Sequence, residues 1–88
     1  MKFLCDQMLG TLAKWLRIYG FDTFYANAEI KDTELLEISK DEKRVLLTRD
    51  KEFIYAAKRE NIKTIEIKSK DLDEQIRLIL QHVTIDKS

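Results

Sequence analysis

The sequence predicts an α/β protein built on a four-stranded parallel sheet, and three observations carry that prediction. Short apolar runs at Lys2-Phe3-Leu4-Cys5, Thr23-Phe24-Tyr25-Ala26, Arg44-Val45-Leu46-Leu47-Thr48 and Thr64-Ile65-Glu66-Ile67 alternate with longer stretches of helical periodicity. The third run is continuous and apolar, as a strand covered on both faces should be. Strands that alternate with helices pair in parallel through right-handed crossovers. The common small arrangement then places the first strand between the second and third, giving the order 2-1-3-4.

The helices follow in turn. From Met8 to Tyr19 the residues Met8, Leu12, Trp15 and Tyr19 share one face, joined by Leu9, Ala13 and Leu16, and burial is expected for Trp15 and Tyr19. Exposure of either would point to a homodimer face. Gly20 stands where a helix ends in a residue of positive φ. Asp32 or Thr33 is expected to cap a second helix carrying Leu35, Leu36 and Ile38, and Asp50 a third carrying Phe53, Ile54 and Ala57. The last helix has Leu72, Ile76, Ile79, Leu80 and Val83 on one stripe, with His82 expected at its surface.

Composition bounds the function. The 88 residues suit one domain, 1–88, with no linker, repeat or proline. Charged residues make up 36%, yet the formal net charge is zero, so no global positive field draws in a polyanion and any RNA grip must be local. Cys5 alone forms neither an internal disulfide nor a thiolate zinc cluster, and reads as a small core residue. No apolar run approaches the ~20 residues that span a bilayer, and the start does not read as a signal peptide. A soluble cytoplasmic protein is expected.

In sheets of this kind, ligands bind beyond the carboxyl ends of the strands where the order reverses. Here that is between the first and third strands. Asp6 directly follows the first, and Asp50 follows the third by one residue. Two neighbouring carboxylates repel, the more so when buried. A cation between them removes the conflict, and Mg²⁺ or Mn²⁺ suits an all-oxygen site. Such ions activate water and stabilise the leaving oxygen of a phosphodiester. Each acid alone is also explained as a helix cap, which gives no reason for both at the switch point. The start of the second helix offers a third acid among Glu29, Asp32 and Glu34, of which Asp32 is preferred. Lys14, Arg17, Arg49 and Lys51 are the basic candidates near this edge; Arg49 suits a phosphate or a carboxylate partner, and Lys14 and Arg17 equally suit a solvated helix face.

The run from Phe3 to Thr23, with Cys5-Asp6-Gln7-Met8-Leu9-Gly10-Thr11-Leu12-Ala13-Lys14-Trp15-Leu16-Arg17 at its heart, strongly resembles the opening of the Mut-seven C-terminal ribonuclease domain, a branch of the PIN-like nuclease superfamily. Val45-Leu46-Leu47-Thr48-Arg49-Asp50 looks like its second signature, Asp32-Thr33-Glu34-Leu35-Leu36 sits where the family has an acidic helix start, and Gln75 resembles a glutamine of its last helix. The resemblance implies a PIN-like three-layer sandwich and a metal-dependent endoribonuclease with Asp6, Asp32 and Asp50 as catalytic, metal-holding carboxylates. Lys14, Arg17 and Arg49 would then bind RNA phosphates. Family members usually continue into a Cys-rich zinc ribbon, which is absent from this sequence with its single cysteine. PIN nucleases generally use three or four acids, and Asp22 and Asp71 are the weak candidates for a fourth. Two rival readings remain at this stage: a catalytically degenerate RNA-binding or regulatory module, and a receiver-like phospho-acceptor domain. The second is weakened by a single acid after the first strand and by the lack of a fifth strand.

Overall fold

The computed structural model describes residues 1–27 and 29–87, with side chains described through residue 84. Four strands, β1 (Lys2–Cys5), β2 (Asp22–Tyr25), β3 (Arg44–Thr48) and β4 (Thr64–Glu66), alternate with four helices, α1 (Gly10–Ile18), α2 (Asp32–Asp41), α3 (Lys51–Arg59) and α4 (Leu72–Lys87). The sheet is parallel throughout in the order β2-β1-β3-β4, as expected. β1 pairs in matched register with both neighbours: Cys5 lies between Tyr25 and Leu47. The three strand ends are therefore level, and the residues that follow them emerge at one edge.

Alternation along the strands divides the core in two. Phe3, Cys5, Val45, Leu47 and Ile65 face one way and pack with Leu12, Leu16, Ile76 and Ile79 of α1 and α4. Leu4 and Leu46 face the other way and pack with Leu35 and Leu36 of α2 and Phe53 and Ala57 of α3. Helices thus cover both faces, giving three layers. Gly20, at φ 92°, ends α1; its N–H bonds the Arg17 carbonyl and that of Phe21 reaches back to Leu16, both at 3.0 Å. Phe21 then meets Phe3 edge-on, with ring centroids 5.4 Å apart.

Several local expectations change. The first helical stretch opens as a 3₁₀ turn, Gln7–Leu9, because the Asp6 side chain bonds the Met8 N–H and holds Asp6 extended. The buried stripe of α1 is Leu12, Ala13 and Leu16, continuing from Leu9, which leaves Met8, Trp15 and Tyr19 exposed with Ile18. A stripe wide enough for all seven apolar residues exceeds what one helix can press against a sheet and a single neighbour, so its outer edge stays in solvent. Lys31 holds the N-cap position of α2 without a side-chain bond; Asp32 lies inside the first turn, where the helix dipole favours its charge. On α4, Leu80 is exposed and His82 is half-buried, the reverse of the expectation for each.

Candidate active site

Asp6 is where the backbone leaves β1, and its N–H still bonds the Leu47 carbonyl of β3 at 3.2 Å. Its carboxylate is mostly buried, at 9% exposure, and both oxygens are engaged: Oδ1 accepts from the Met8 N–H at 2.9 Å and Oδ2 from the Thr48 hydroxyl. Thr48 is fully buried and its oxygen also accepts the Asp50 N–H at 3.1 Å. One hydroxyl therefore joins the two acids. Asp50 caps α3 through the Glu52 N–H at 2.9 Å, with the rest of its carboxylate exposed. Alternation explains the grouping: Thr48 and Asp50 follow Leu46 on the α2–α3 side of the sheet, as Asp6 follows Leu4, while Arg49 falls to the other side.

Asp6, Asp32 and Asp50 line one cavity of about 180 Å³, floored by Leu35 and Phe53 and walled by Gln7 and Asn27, with no cation among its lining residues. Among the described residues, no three His, Cys, Asp or Glu side chains are drawn together tightly enough to hold one ion between them. The three acids share a cavity and not a closed ligand sphere. Their chemistry still fits a hard divalent cation, which keeps several waters and takes one or two carboxylates directly. After its two hydrogen bonds Asp6 retains further lone pairs, and Asp32 has no bonded partner among the described residues.

Other candidates lie elsewhere. Glu29 and Glu34 are exposed and do not line the cavity. Asp22 lies at the opposite edge of the sheet, 3.0 Å from Arg44, and Asp71 bonds the Asp73 N–H at 3.2 Å. Lys14 and Arg17 are exposed on α1 outside the cavity, and the Arg17 Nε donates to the Thr23 carbonyl at 2.9 Å. Arg49 makes no ion pair among the described residues; its Nη1 donates to the Ser69 carbonyl at 3.2 Å. Thr48, Gln7 and Asn27 escaped the sequence reading. Thr48 sits inside a signature that ends on Asp50, so its proximity to that acid was visible, but its contact with Asp6 across 42 residues was not.

Burial foremost, and then the charge of adjacent Asp6, push the Cys5 thiol up to about 12, with Arg17 pulling the other way. Cys5 is fully buried, so it is a core residue and no nucleophile. Burial of Arg44 opposes its charge, but its bonds to Glu42 and Asp22 outweigh that and hold its pKa above the ordinary value. Arg44 also donates to the carbonyls of Phe3 and Asp22, tying three strands at the amino edge. A larger cavity, about 800 Å³, opens at that same edge beside Lys2, Lys43 and Arg44. Helices of a parallel sheet end there, presenting the negative poles of their dipoles. The smaller acidic cavity, at the carboxyl edge, is the better candidate for chemistry.

A parallel sheet in the order 2-1-3-4 between two pairs of helices, with acids at its carboxyl edge, has the architecture of a PIN-like sandwich. The family model of the Mut7-C RNAse domain matches residues 1–88, and the chain belongs to that family. No curated protein and no solved structure matches it. Membership suggests a nuclease-type function with RNA as the substrate. Among the described residues, no helix is long and apolar enough to cross a membrane.

Proposed function

We propose that this chain is a metal-dependent endoribonuclease of the cytoplasm that hydrolyses RNA phosphodiesters in the cavity of Asp6, Asp32 and Asp50. The observation that carries this is the convergence of three carboxylates from three separate segments on one small cavity with no cation in its lining. Like charges gathered without a protein cation favour a positive guest. Asp6 and Asp50, with Asp32 in the lining of the same cavity, would hold Mg²⁺ or Mn²⁺. Bound there, the cation supplies Lewis acidity toward a phosphoryl oxygen and makes water more acidic.

The chain's own residues do the rest. Thr48 orients Asp6 and keeps one of its oxygens occupied, so the carboxylate presents a fixed direction to the cavity. Asp50 is held from behind by the Glu52 N–H. Asp32 is exposed and without a bonded partner among the described residues, which leaves its carboxylate available to take the proton of the attacking water. Arg49, next to Asp50 in the chain, offers an RNA phosphate its unused guanidinium N–H groups; Lys14 and Arg17 are more distant supports.

The test is cleavage of a panel of single-stranded RNAs with Mg²⁺ or Mn²⁺ by wild type, Asp6→Asn and Asp50→Asn, with calorimetric Mn²⁺ binding as a second reading. Losses of about a hundredfold or more are expected, roughly 3 kcal/mol of transition-state stabilisation. Equal activity in all three proteins would sink the proposal. The absence of a three-ligand cluster among the described residues favours the second reading, a catalytically degenerate RNA-binding or regulatory module. Metal-independent RNA binding with no cleavage by wild type would establish that instead.

A further inference from the structure

Beside the acidic cavity lies a second one of opposite character. It measures about 280 Å³ and is lined by Thr11, Arg49, Lys70 and Gln75 over an apolar floor that includes Leu9 and Leu12, with no carboxylate in its lining. Met8 lines both cavities and forms the divide between them. Their separation has a simple origin: Arg49 and Asp50 are consecutive, and alternation past the end of β3 sends them to opposite sides of the sheet. The acidic cavity lies on the α2–α3 side and the basic one on the α1–α4 side. A strand of nucleic acid laid across the carboxyl edge over Met8 would meet both.

The basic cavity is built into the fold. The Ser69 carbonyl accepts from Arg49 Nη1 at 3.2 Å and from Gln75 Nε2 at 2.7 Å, while the Ser69 hydroxyl accepts the Asp71 N–H at 3.0 Å. These bonds hold the segment between β4 and α4 and fix Arg49 and Gln75 against it. Gln75 is 7% exposed, and its Oε1 accepts no bond among the described residues; it is not among their buried unpaired atoms, so it opens onto the cavity and is available to a ligand donor. Lys70 has no ion pair among the described residues, and Arg49 spends only one of its five N–H donors. The site thus offers two cations for a phosphate and one acceptor for a sugar hydroxyl or base N–H. Its volume lies near the lower end of small-ligand pockets, ~300–1,000 Å³, so a single nucleotide is the fitting occupant.

We propose that this cavity is a substrate subsite that holds a nucleotide flanking the scissile phosphate, with Arg49 and Lys70 on its phosphate and Gln75 Oε1 accepting from its sugar or base. The assignment rests on reading the acidic cavity as the RNA-cleaving site. Lys70 and Gln75 are then specificity and positioning residues for the substrate, and Met8, 68% exposed, is the ridge over which the strand passes.

The test measures binding of a fluorescently labelled single-stranded oligoribonucleotide to the full chain by anisotropy, in EDTA so that nothing is cleaved. Lys70→Gln is the main variant, because Lys70 is exposed and its loss leaves the fold intact. Lys43→Gln, which removes the same charge at the opposite edge of the sheet, is the control. Lys70→Gln is expected to weaken binding about 3- to 10-fold and to lower the salt dependence by roughly 0.7, the share of one single-strand phosphate contact. Arg49→Gln should do the same, while Lys43→Gln leaves both quantities unchanged. Unchanged binding in Lys70→Gln, equal weakening by Lys43→Gln, or no binding by wild type at low salt overturns the subsite. Cleavage by wild type that Asp6→Asn abolishes, with Lys70→Gln binding normally, keeps the nuclease and removes the subsite. Lys70-dependent binding without cleavage does the reverse.

Discussion

The hydroxyl of Thr48, fully buried at the end of β3, donates its proton to Oδ2 of Asp6 at the end of β1. The same oxygen accepts the backbone N–H of Asp50 at 3.1 Å, so a neutral residue couples the two acids of the cavity. Valine has the shape of threonine without the hydroxyl. Thr48→Val should cost about 1–3 kcal/mol, since it strands a mostly buried carboxylate oxygen and a backbone donor together. Thr48→Ser should recover most of the loss. Urea unfolding of the three proteins checks this, and a Val variant as stable as wild type would show that the hydroxyl bridge carries no weight.

Asp50 has two roles that substitution separates. As the cap of α3 it needs a side-chain acceptor for the Glu52 N–H, which asparagine also provides. As a ligand of a cation it needs its charge. Asp50→Asn should stay within about 0.5 kcal/mol of wild type because both residues cap well, whereas Asp50→Ala should lose about 0.5–2 kcal/mol. Both should lose RNA cleavage. Measuring unfolding and cleavage on the same two preparations settles whether the cap and the chemistry reside in one carboxylate.

Gly10 opens α1 with ordinary helical dihedrals, so conformational freedom is not what glycine provides there. A Cβ at this position would sit 3.1 Å from the Tyr25 hydroxyl and 3.2 Å from its ring carbon Cζ, while that hydroxyl donates to the Gln7 carbonyl at 2.7 Å. Tyr25 thereby pins the turn that follows Asp6. Gly10→Ala should gain no stability despite alanine's advantage in helices of roughly 1 kcal/mol, because the ring must shift and its bond to Gln7 suffers. In a Tyr25→Ala background the same change should stabilise by up to about that amount. Identical effects of Gly10→Ala in both backgrounds, by urea unfolding, would remove the clash from consideration.

The Cys5 thiol gives a pH dependence with a definite sign. Burial first, and the Asp6 charge second, raise it from 9.0 to about 12 in the folded chain. The unfolded thiol ionises near the lower figure, so this residue's contribution is fully present below pH 9 and declines as pH rises toward about 12. Wild type measured against Cys5→Ala isolates this residue's contribution from that of the rest of the chain. Their stability difference should move against wild type between pH 8 and pH 10.5, by at most ~1.4 kcal/mol per pH unit. A difference independent of pH would contradict the burial of this thiol, as would its rapid alkylation in the folded protein at pH 8.

Much of the fold was legible because it rests on local signals. Val45-Leu46-Leu47 reads as a strand with both faces covered, and it is buried on both; Gly20 marks the end of α1 and adopts the positive φ that marks require. Chain order and the handedness of crossovers then lead to the strand order, and through it to Asp6 and Asp50 at one edge. The sides of the helices were less legible. Met8, Trp15 and Tyr19 belong to the same periodic pattern as Leu12 and Leu16, and periodicity does not say where a stripe stops being covered.

By itself, then, the sequence determined the alternation of elements, the parallel sheet and the presence of acids after β1 and β3, because each of these follows from side-chain pattern over a few residues and from backbone handedness. Only the tertiary structure decided that Asp32 joins the same cavity, that Thr48 links the pair, and that Lys70 and Gln75 stand across Met8 with Arg49. These are meetings of groups far apart along the chain. They depend on how deeply each helix seats against the sheet and how each loop is tied down, and packing of the whole core sets both.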